Sequence, residues 1–270
     1  VGFADSLSGG AGSDIYHIYH SAAQVFEAAN GGTDVLYAYV DFALGAGAQV
    51  ESLYAAGPVG LSLTGNERAN IFYSNAAFAD TLSGAMGNDT YYVLNALDQV
   101  AELSGGGTDT VYVGLSYSLA ADSHVEYLYG TGSAGLWLTG NALQNRIYGT
   151  TGADTIEGGI GRDVLTGGSG ADVFVFGTLA DSALGTNRDL VMDFVTGQDV
   201  IDLSLIDADT ATAGHQSFAF AGTTPTANAV WMTLAGTRLL LRADVTGDGI
   251  ADTEISLEGI SSVGFADLLL

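Results

Sequence analysis

Apolar residues along the chain come in short runs, and glycine or asparagine ends many of them. The segments DVLYAYVDFAL (34–44) and DTVYVGLSYSL (109–119) are rich in Val, Tyr, Leu and Phe, with partial alternation of apolar and polar positions. Such runs favour β-strands separated by tight turns. Helical spacing is rare, and a single short helix is predicted over residues 21–29. The pattern predicts an all-β protein.

The chain contains a long internal repeat. FADSLSGGAGSDIYHI at residue 3 returns as FADTLSGAMGNDTYYV at residue 78, and GGTDVLYA at residue 31 returns as GGTDTVYV at residue 106. Residues 3–77 and 78–152 are therefore two copies of one unit, 75 positions apart. Short strands, regular turns and internal repetition together favour a β-solenoid over a sandwich.

A shorter repeat follows in GADTIEGGIGRDVLTGGSGADVF (152–174). Asp154, Asp163 and Asp172 lie nine residues apart, and each has glycine two positions before it and an apolar residue two positions after it. Glycine allows the backbone angles of a tight loop. Such a loop directs several carbonyl oxygens toward one point beside the carboxylate, and the apolar residue belongs to a very short strand that faces the core.

This loop chemistry suits calcium, which takes about six to eight oxygen ligands. One loop offers too few, so we expect two loops one turn apart to share an ion, and we expect loops 158–163 and 167–172 to form such a pair. Without ions the stacked carboxylates would lack a partner. Folding is therefore expected to be coupled to calcium.

The charge of the chain is strongly negative, −25 from 31 acidic and 6 basic residues. This charge disfavours nucleic acid and anionic membrane surfaces as partners. Cysteine is absent, which excludes disulfides, thiolate metal sites and thiol catalysis. Neither a transmembrane segment nor an N-terminal signal peptide is predicted. Because the chain opens inside a repeat, we expect it to be part of a longer protein.

The nonapeptide stretch GGIGRDVLTGGSGADVF resembles the repeat-in-toxin (RTX) motif of calcium-binding β-rolls. Residues 167–270, which include RDLVMDFVTGQDVIDLS and DVTGDGIADTEI, are similar to the C-terminal domain of serralysin-type secreted metalloproteases. The 75-residue units resemble longer RTX-associated repeats. The resemblance implies a parallel β-roll that holds several calcium ions, export by the type I secretion machinery, and a secreted or cell-surface location.

The RTX pattern assigns calcium ligands to loop aspartates and to loop residues that offer backbone carbonyls. The residues so assigned are Asp5, Gly9, Ala11, Gly12, Asp14, Asp80, Gly84, Met86, Gly87, Asp89, Asp154, Gly158, Ile160, Gly161, Asp163, Gly167, Ser169, Gly170 and Asp172.

For several polar residues, the sequence does not decide between metal ligation and a structural role. Asn70 and Asn145 stand where the pattern has aspartate, which indicates turns that stack without an ion. Asp34 and Asp109 lie in GGTD turns, where capping by an Asx-type hydrogen bond is as plausible as metal ligation.

Two further features have competing interpretations. The stretch 244–252, with Asp244, Asp248 and Asp252, imitates the start of an EF-hand loop, but Ile255 replaces the final glutamate and a hairpin turn is favoured. The 13 tyrosines and 2 tryptophans could form a carbohydrate-binding stripe, although a role in the core is favoured.

We therefore expect an RTX solenoid over residues 1–176, with nonapeptide turns at 149–176, and a β-rich C-terminal capping and secretion domain over 177–270. The expected function is calcium-dependent folding, stabilisation and export of a larger secreted protein.

Catalysis is not expected, because HExxH and GxSxG motifs are absent. One alternative is a structural or adhesive module of a cell surface or biofilm matrix, which self-associates with calcium or binds cell-surface polysaccharide. Another is a polysaccharide-acting enzyme.

Overall fold

The computed structural model describes residues 5–27 and 31–270. Within these residues the chain is all-β, and its helical content is limited to two short 3-10 segments, Gly185–Asn187 and Phe265–Asp267. The predicted fold class is confirmed. No helix in the described ranges has the length and hydropathy needed to cross a bilayer.

The helix predicted over residues 21–29 is a strand in its described part. A turn precedes Gln24–Phe26, which pairs in parallel with Ser6–Ser8. The central residue of this strand is buried and its two neighbours are exposed, and alternation with a period of two belongs to a strand. The prediction was wrong there, and residues 28–29 lie outside the described residues.

The chain divides into two compact units, Val1–Tyr127 and Leu128–Leu270. The strands of the first unit are β1 (Ser6–Ser8), β2 (Ile15–Ile18), β3 (Gln24–Phe26), β4 (Val35–Ala38), β5 (Phe42–Ala43), β6 (Ser52–Ala55), β7 (Ser62–Thr64), β8 (Ile71–Tyr73), β9 (Thr81–Ser83), β10 (Thr90–Val93), β11 (Gln99–Val100), β12 (Thr110–Val113) and β13 (Tyr117–Ser118).

Consecutive strands of the first unit alternate between two faces. The even-numbered strands β2 to β12 form one parallel sheet in chain order, while β5, β7, β9 and β11 form a second and β1 pairs with β3. Each turn of the chain thus adds one strand to each face, which defines a parallel β-solenoid.

The second unit repeats this arrangement and ends differently. Its strands are β14 (Tyr127–Gly130), which starts at the boundary, β15 (Trp137–Thr139), β16 (Arg146–Tyr148), β17 (Thr155–Glu157), β18 (Val164–Thr166), β19 (Val173–Val175), β20 (Leu190–Val191), β21 (Val200–Asp202), β22 (Ala219–Phe220), β23 (Ala229–Ala235), β24 (Arg238–Ala243), β25 (Thr253–Glu258) and β26 (Leu268–Leu269).

One sheet of the second unit runs β14, β16, β18, β20, β25, β24, β23, β22, and the other runs β15, β17, β19, β21, β26. The pairs β23–β24 and β24–β25 are antiparallel, whereas β20–β25 is parallel. The parallel sheets therefore continue past residue 176. The division into a solenoid and a capping domain at 176/177 stays a prediction.

Most three-residue strands bury their central residue. Leu53 and Phe72 are paired in register in the first unit, as are Ile147 and Leu165 in the second, and all four side chains are fully buried. Burial of such a side chain contributes roughly 1.5–3 kcal/mol. Because the register repeats from turn to turn, these residues form continuous apolar columns inside each unit.

Candidate metal centre

Loops connect the two sheets at two edges of each unit. We call "first edge" the loops that lead into even-numbered strands β2 to β20, and "second edge" the loops that lead into odd-numbered strands β1 to β21. Many of these loops end in an acidic or amide residue. On the first edge these residues are Asp14, Asp34, Glu51, Asn70, Asp89, Asp109, Glu126, Asn145, Asp163 and Asp189; on the second they are Asp5, Asp41, Asp80, Asp98, Asp154, Asp172 and Asp199.

Consecutive nonapeptide loops lie on opposite edges. Loop 158–163 leads into β18 and loop 167–172 leads into β19, and these strands belong to different sheets. Each nonapeptide supplies one strand, so two are needed for a full turn, and Asp154 stacks on Asp172, with its N–H 2.8 Å from the Oδ1 of Asp172. The expectation that loops 158–163 and 167–172 share an ion is therefore wrong.

The aspartates connect one turn to the next through a single carboxylate oxygen. On the first edge, the N–H of Asp14 donates to Oδ1 of Asp34 (2.8 Å), and the N–H of Asp89 donates to Oδ1 of Asp109 (2.8 Å). Asp163 repeats the arrangement, since its Oδ1 accepts from the N–H of Asn145 at 2.7 Å. These charge-assisted bonds cap the residue at the start of the neighbouring strand. Asp34 and Asp109 thus cap the preceding turn of the solenoid rather than their own GGTD turn.

The hydrogen bonding of the second carboxylate oxygen, Oδ2, differs between the two edges. On the second edge, Oδ2 of Asp80 accepts from the N–H of Asn75 (2.6 Å), and Oδ2 of Asp154 accepts from the N–H of Thr150 (2.5 Å). On the first edge the second oxygen is buried and has no hydrogen-bond partner among the described residues. The oxygens concerned are Oδ2 of Asp14, Asp34, Asp89, Asp109, Asp163 and Asp189.

A buried acceptor without a donor is costly. A hard divalent cation with oxygen ligands would satisfy it. The residues of the first edge therefore fit a metal ion, whereas Asp80 and Asp154 have both oxygens occupied by the protein itself.

Carboxylates converge in two triads on the first edge of the first unit. In the first, Asp14, Glu27 and Asp34 bring carboxylate oxygens within 4.8 Å of one another, and a second triad does the same with all three residues buried. The members of the second triad are Asp89, Glu102 and Asp109. Each lies 75 positions after its counterpart, so the whole cluster is duplicated with the repeat.

The glutamates of the triads were missed by the sequence interpretation, because they lie outside the glycine-rich motif. Glu27 accepts from the N–H groups of Gly9 (3.1 Å) and Gly10 (3.2 Å). Glu102 accepts from the N–H of Gly84 (2.9 Å) and from the hydroxyl of Tyr91. The available signal was the persistence of a glutamate at the same place in both 75-residue copies.

Burial makes these carboxylates difficult to ionise without a cation. Desolvation by burial, with the nearby charge of Glu102, raises the pKa of Asp89 to about 7 and that of Asp109 to about 7. Burial likewise raises the pKa of Asp163 to about 7, and burial together with Asp163 raises that of Asp189 to about 9. A bound divalent cation would reverse this penalty, since it favours the charged form of every neighbouring carboxylate.

The glycines of the loops allow this close approach. A Cβ on Gly84 would lie 1.9 Å from Oδ2 of Asp89, and a Cβ on Gly158 would lie 2.5 Å from Oδ2 of Asp163. Gly161, with φ +152°, has a backbone conformation that favours glycine. Side chains at these positions would displace the carboxylates from the loop.

The remaining sequence-assigned residues lie in loops on one edge or the other. Met86 donates its N–H to the carbonyl of Asn66 (3.2 Å) and Ser169 donates to that of Thr150 (3.2 Å), so each loop stacks on its neighbour. Loops on the first edge carry Gly9, Ala11, Gly12, Gly84, Met86, Gly87, Gly158, Ile160 and Gly161; loops on the second carry Gly167, Ser169 and Gly170.

The stretch 244–252 is a connection between antiparallel strands β24 and β25, which agrees with the hairpin interpretation. Asp244 accepts from the N–H of Gly249 (2.7 Å) through Oδ2, and its Oδ1 accepts from Thr246 and Gly247. Oδ2 of Asp252 accepts from the N–H of Val245 at 2.8 Å. Backbone donors thus already occupy these oxygens.

The aromatic residues are divided between core and surface. Trp231 is buried and Trp137 is exposed. Tyrosines on the outer face of the even-numbered strands stack ring on ring, with centroids 4.2 Å apart for Tyr54–Tyr73 and 4.7 Å for Tyr73–Tyr92. Stacked rings cover one another's faces, so this row offers ring edges rather than open faces to a sugar.

Part of the chain is similar in sequence to a known protein. A 97-residue segment is 36% identical to the endo-1,3-1,4-beta-glycanase ExsH of Rhizobium meliloti (strain 1021), which corresponds to 36% of this chain and 20% of that protein. The chain thus spans about a fifth of the length of that relative.

Two solved structures are similar, both subunits of the Azotobacter vinelandii mannuronan C5-epimerase. AlgE6R3 is 33% identical, with 53% of this chain and 77% of that chain covered and a TM-score of 0.37. AlgE6R2 is 29% identical, with 60% and 91% covered and a TM-score of 0.39. The family described as peptidase M10 serralysin C terminal matches residues 7–269. The chain therefore belongs to the serralysin C-terminal family of peptidase M10.

Proposed function

We propose that this chain is a calcium-binding module that folds when calcium is bound and stabilises a larger secreted protein. The observation that carries the proposal is the set of buried carboxylate oxygens without donors on the first edge. Their duplication in two triads, 75 residues apart, supports a site that both copies of the repeat build in the same way.

In this proposal the two carboxylate oxygens of a first-edge aspartate have different roles. Oδ1 holds the neighbouring turn in Asp34, Asp89, Asp109, Asp163 and Asp189, and Oδ2, with loop carbonyls, would hold the ion. Calcium would supply the positive charge that offsets carboxylate repulsion. Without it, a net charge of −25 opposes the compact state.

Export and location follow from the same proposal. Extracellular calcium modules bind at about 10⁻⁴–10⁻³ M, so a chain of this kind stays unfolded where calcium is scarce and folds where calcium is plentiful. This suits passage through a type I secretion system and a secreted or cell-surface location. In this proposal the chain supplies folding and calcium binding, and catalysis belongs to other parts of the protein.

The proposal is tested by a calcium titration of the purified chain followed by circular dichroism, with isothermal titration calorimetry on the same preparation. We expect the β signal to rise cooperatively with calcium and to fall when EGTA is added. Magnesium at equal concentration is the control, because it requires stricter octahedral geometry and keeps its waters. A β signal unchanged by calcium and by EGTA would contradict the proposal.

A further inference from the structure

The basic residues of this acidic chain are few and unevenly placed. All six are arginines, against 31 acidic residues. Three of them, Arg162, Arg188 and Arg238, line one surface concavity of about 460 Å³ in the second unit. The other lining residues, among those described, are Gln144, Gly185, Thr186, Asn187 and Leu190. No lining residue is acidic, so the concavity has the opposite charge to the chain as a whole.

Buried and half-buried contacts hold two of these arginines in place. The Nε of Arg188 lies 2.7 Å from Oε1 of Glu254, whose other oxygen accepts from Arg242 at 2.6 Å. Arg238 pairs with Glu258 at 3.2 Å. Glu254 is buried and pairs with both Arg188 and Arg242, so one carboxylate faces two guanidinium groups. Together with the pair Arg238–Glu258, the cluster has three arginines against two glutamates and keeps one positive charge.

Arg162 adds a third positive charge. It is exposed, and in the described ranges it makes no ion pair within 4.0 Å. Guanidinium groups recognise planar oxyanions through paired N–H donors. The side chains of Thr186, Asn187 and Gln144 add neutral donors on the same walls.

We propose that this concavity, the arginine pocket, binds an oxyanion, either the carboxylate of an acidic saccharide or a free inorganic oxyanion. Charge complementarity carries the proposal, since an anion is repelled by most of this molecule and attracted here. The pocket adjoins the first edge, because Arg162 precedes Asp163 and Arg188 precedes Asp189 in the chain. The binding test therefore uses the calcium-loaded chain, so that calcium offsets the charge of these aspartates.

The test is isothermal titration calorimetry on the calcium-loaded chain at low ionic strength, with three probes: sulfate, trigalacturonate and neutral maltotriose. We expect sulfate and trigalacturonate to bind and maltotriose not to bind. Binding of trigalacturonate at least tenfold tighter than sulfate assigns the pocket to a saccharide carboxylate; equal or tighter binding of sulfate assigns it to a free oxyanion.

Two variants locate the site. Arg238→Ala should weaken anion binding at least fivefold, and Arg238→Lys should restore only part of it, because lysine keeps the charge but loses the paired donors. Arg146→Ala is the matched control, since this arginine is exposed on β16 but does not line the pocket, and its effect should stay within twofold. Equal binding of maltotriose, absence of anion binding, or equal losses in Arg238→Ala and Arg146→Ala would each overturn the proposal.

Discussion

The two oxygens of a first-edge carboxylate have different roles. In Asp89, Oδ1 accepts from the N–H of Asn70 at 2.6 Å, while Oδ2 is buried without a donor. The same division holds in Asp163. Substitutions that keep the hydrogen-bonded oxygen and remove the charge therefore separate the capping role from metal binding.

Glu102→Gln applies this test to the buried triad. Glutamine keeps an oxygen for the N–H of Gly84 but removes one negative charge, so calcium affinity at this site should fall on the order of tenfold, about 1.4 kcal/mol. In calcium-free protein the same change should increase the residual β signal, because a like-charge contact with Asp89 and Asp109 is relieved. Calorimetry and circular dichroism measure the two effects.

The control is Asp122→Asn, which makes the same change of charge at an exposed turn residue. It should leave calcium affinity within about twofold. If Asp122→Asn and Glu102→Gln lower the affinity equally, the effect belongs to net charge and the triad is not a site.

At the level of elements, most solenoid strands have two to four residues and bury one or two of them. A nonapeptide supplies a loop and a strand of three residues, as in Thr155–Glu157 with its buried Ile156. Two nonapeptides make one turn, which is why the stacked residues Asp154 and Asp172 lie 18 apart. The sequence showed the nine-residue spacing, but the pairing of alternate loops depends on which strands share a sheet.

Gly158→Ala tests the geometry of the loop. The added Cβ would lie 2.5 Å from Oδ2 and 2.9 Å from Cβ of Asp163, so the loop must shift. We expect a loss of roughly 1–3 kcal/mol in the free energy of unfolding, together with weaker calcium binding. Gly45→Ala is the control, since a Cβ there has no described atom within 4 Å and its φ is not positive. Equal stability of the two variants in chemical denaturation would contradict this account.

On the scale of the whole molecule, the net charge of −25 and the raised carboxyl pKa values act together. Asp89, Asp109 and Asp163 have pKa values of about 7 in the folded chain, against about 3.9 for an unperturbed aspartate. A carboxyl group whose pKa is raised by folding adds stability below its unfolded pKa, and that contribution is lost as pH rises toward the folded value.

The calcium-free chain should therefore recover more β structure at pH 5 than at pH 8, with the loss extending toward pH 9 through Asp189. With saturating calcium the melting temperature should instead be higher at pH 8 than at pH 5, because protons compete with the ion for the same oxygens. Circular dichroism of the calcium-free chain against pH, and thermal denaturation of the calcium-loaded chain, measure the two signs. A calcium-free β signal that rises from pH 5 to pH 8 would refute the assignment.

The sequence alone determined the class of fold and the positions of the acidic loop residues. Short apolar runs, glycine loops and the 75-residue repeat predicted a parallel β-solenoid, and loop aspartates such as Asp14, Asp89 and Asp163 were placed at the turns. These features are local, because each loop and strand is encoded within about nine residues. The helix predicted over 21–29 was wrong because pairing with β1 overrides a weak local tendency.

Only the tertiary structure decided which carboxylates have an oxygen left for a metal ion. Asp154 and Asp163 have the same motif, yet Thr150 occupies the second oxygen of Asp154 and nothing described occupies that of Asp163. Glu102 joins Asp89 and Asp109 from outside the motif, because stacked turns bring distant parts of the chain together. Whether a second oxygen is satisfied depends on how its own loop folds, since the donor to Asp154 lies four residues earlier in the same loop and the donor to Asp80 lies five residues earlier. The motif alone does not say which loop directs such an N–H at its carboxylate.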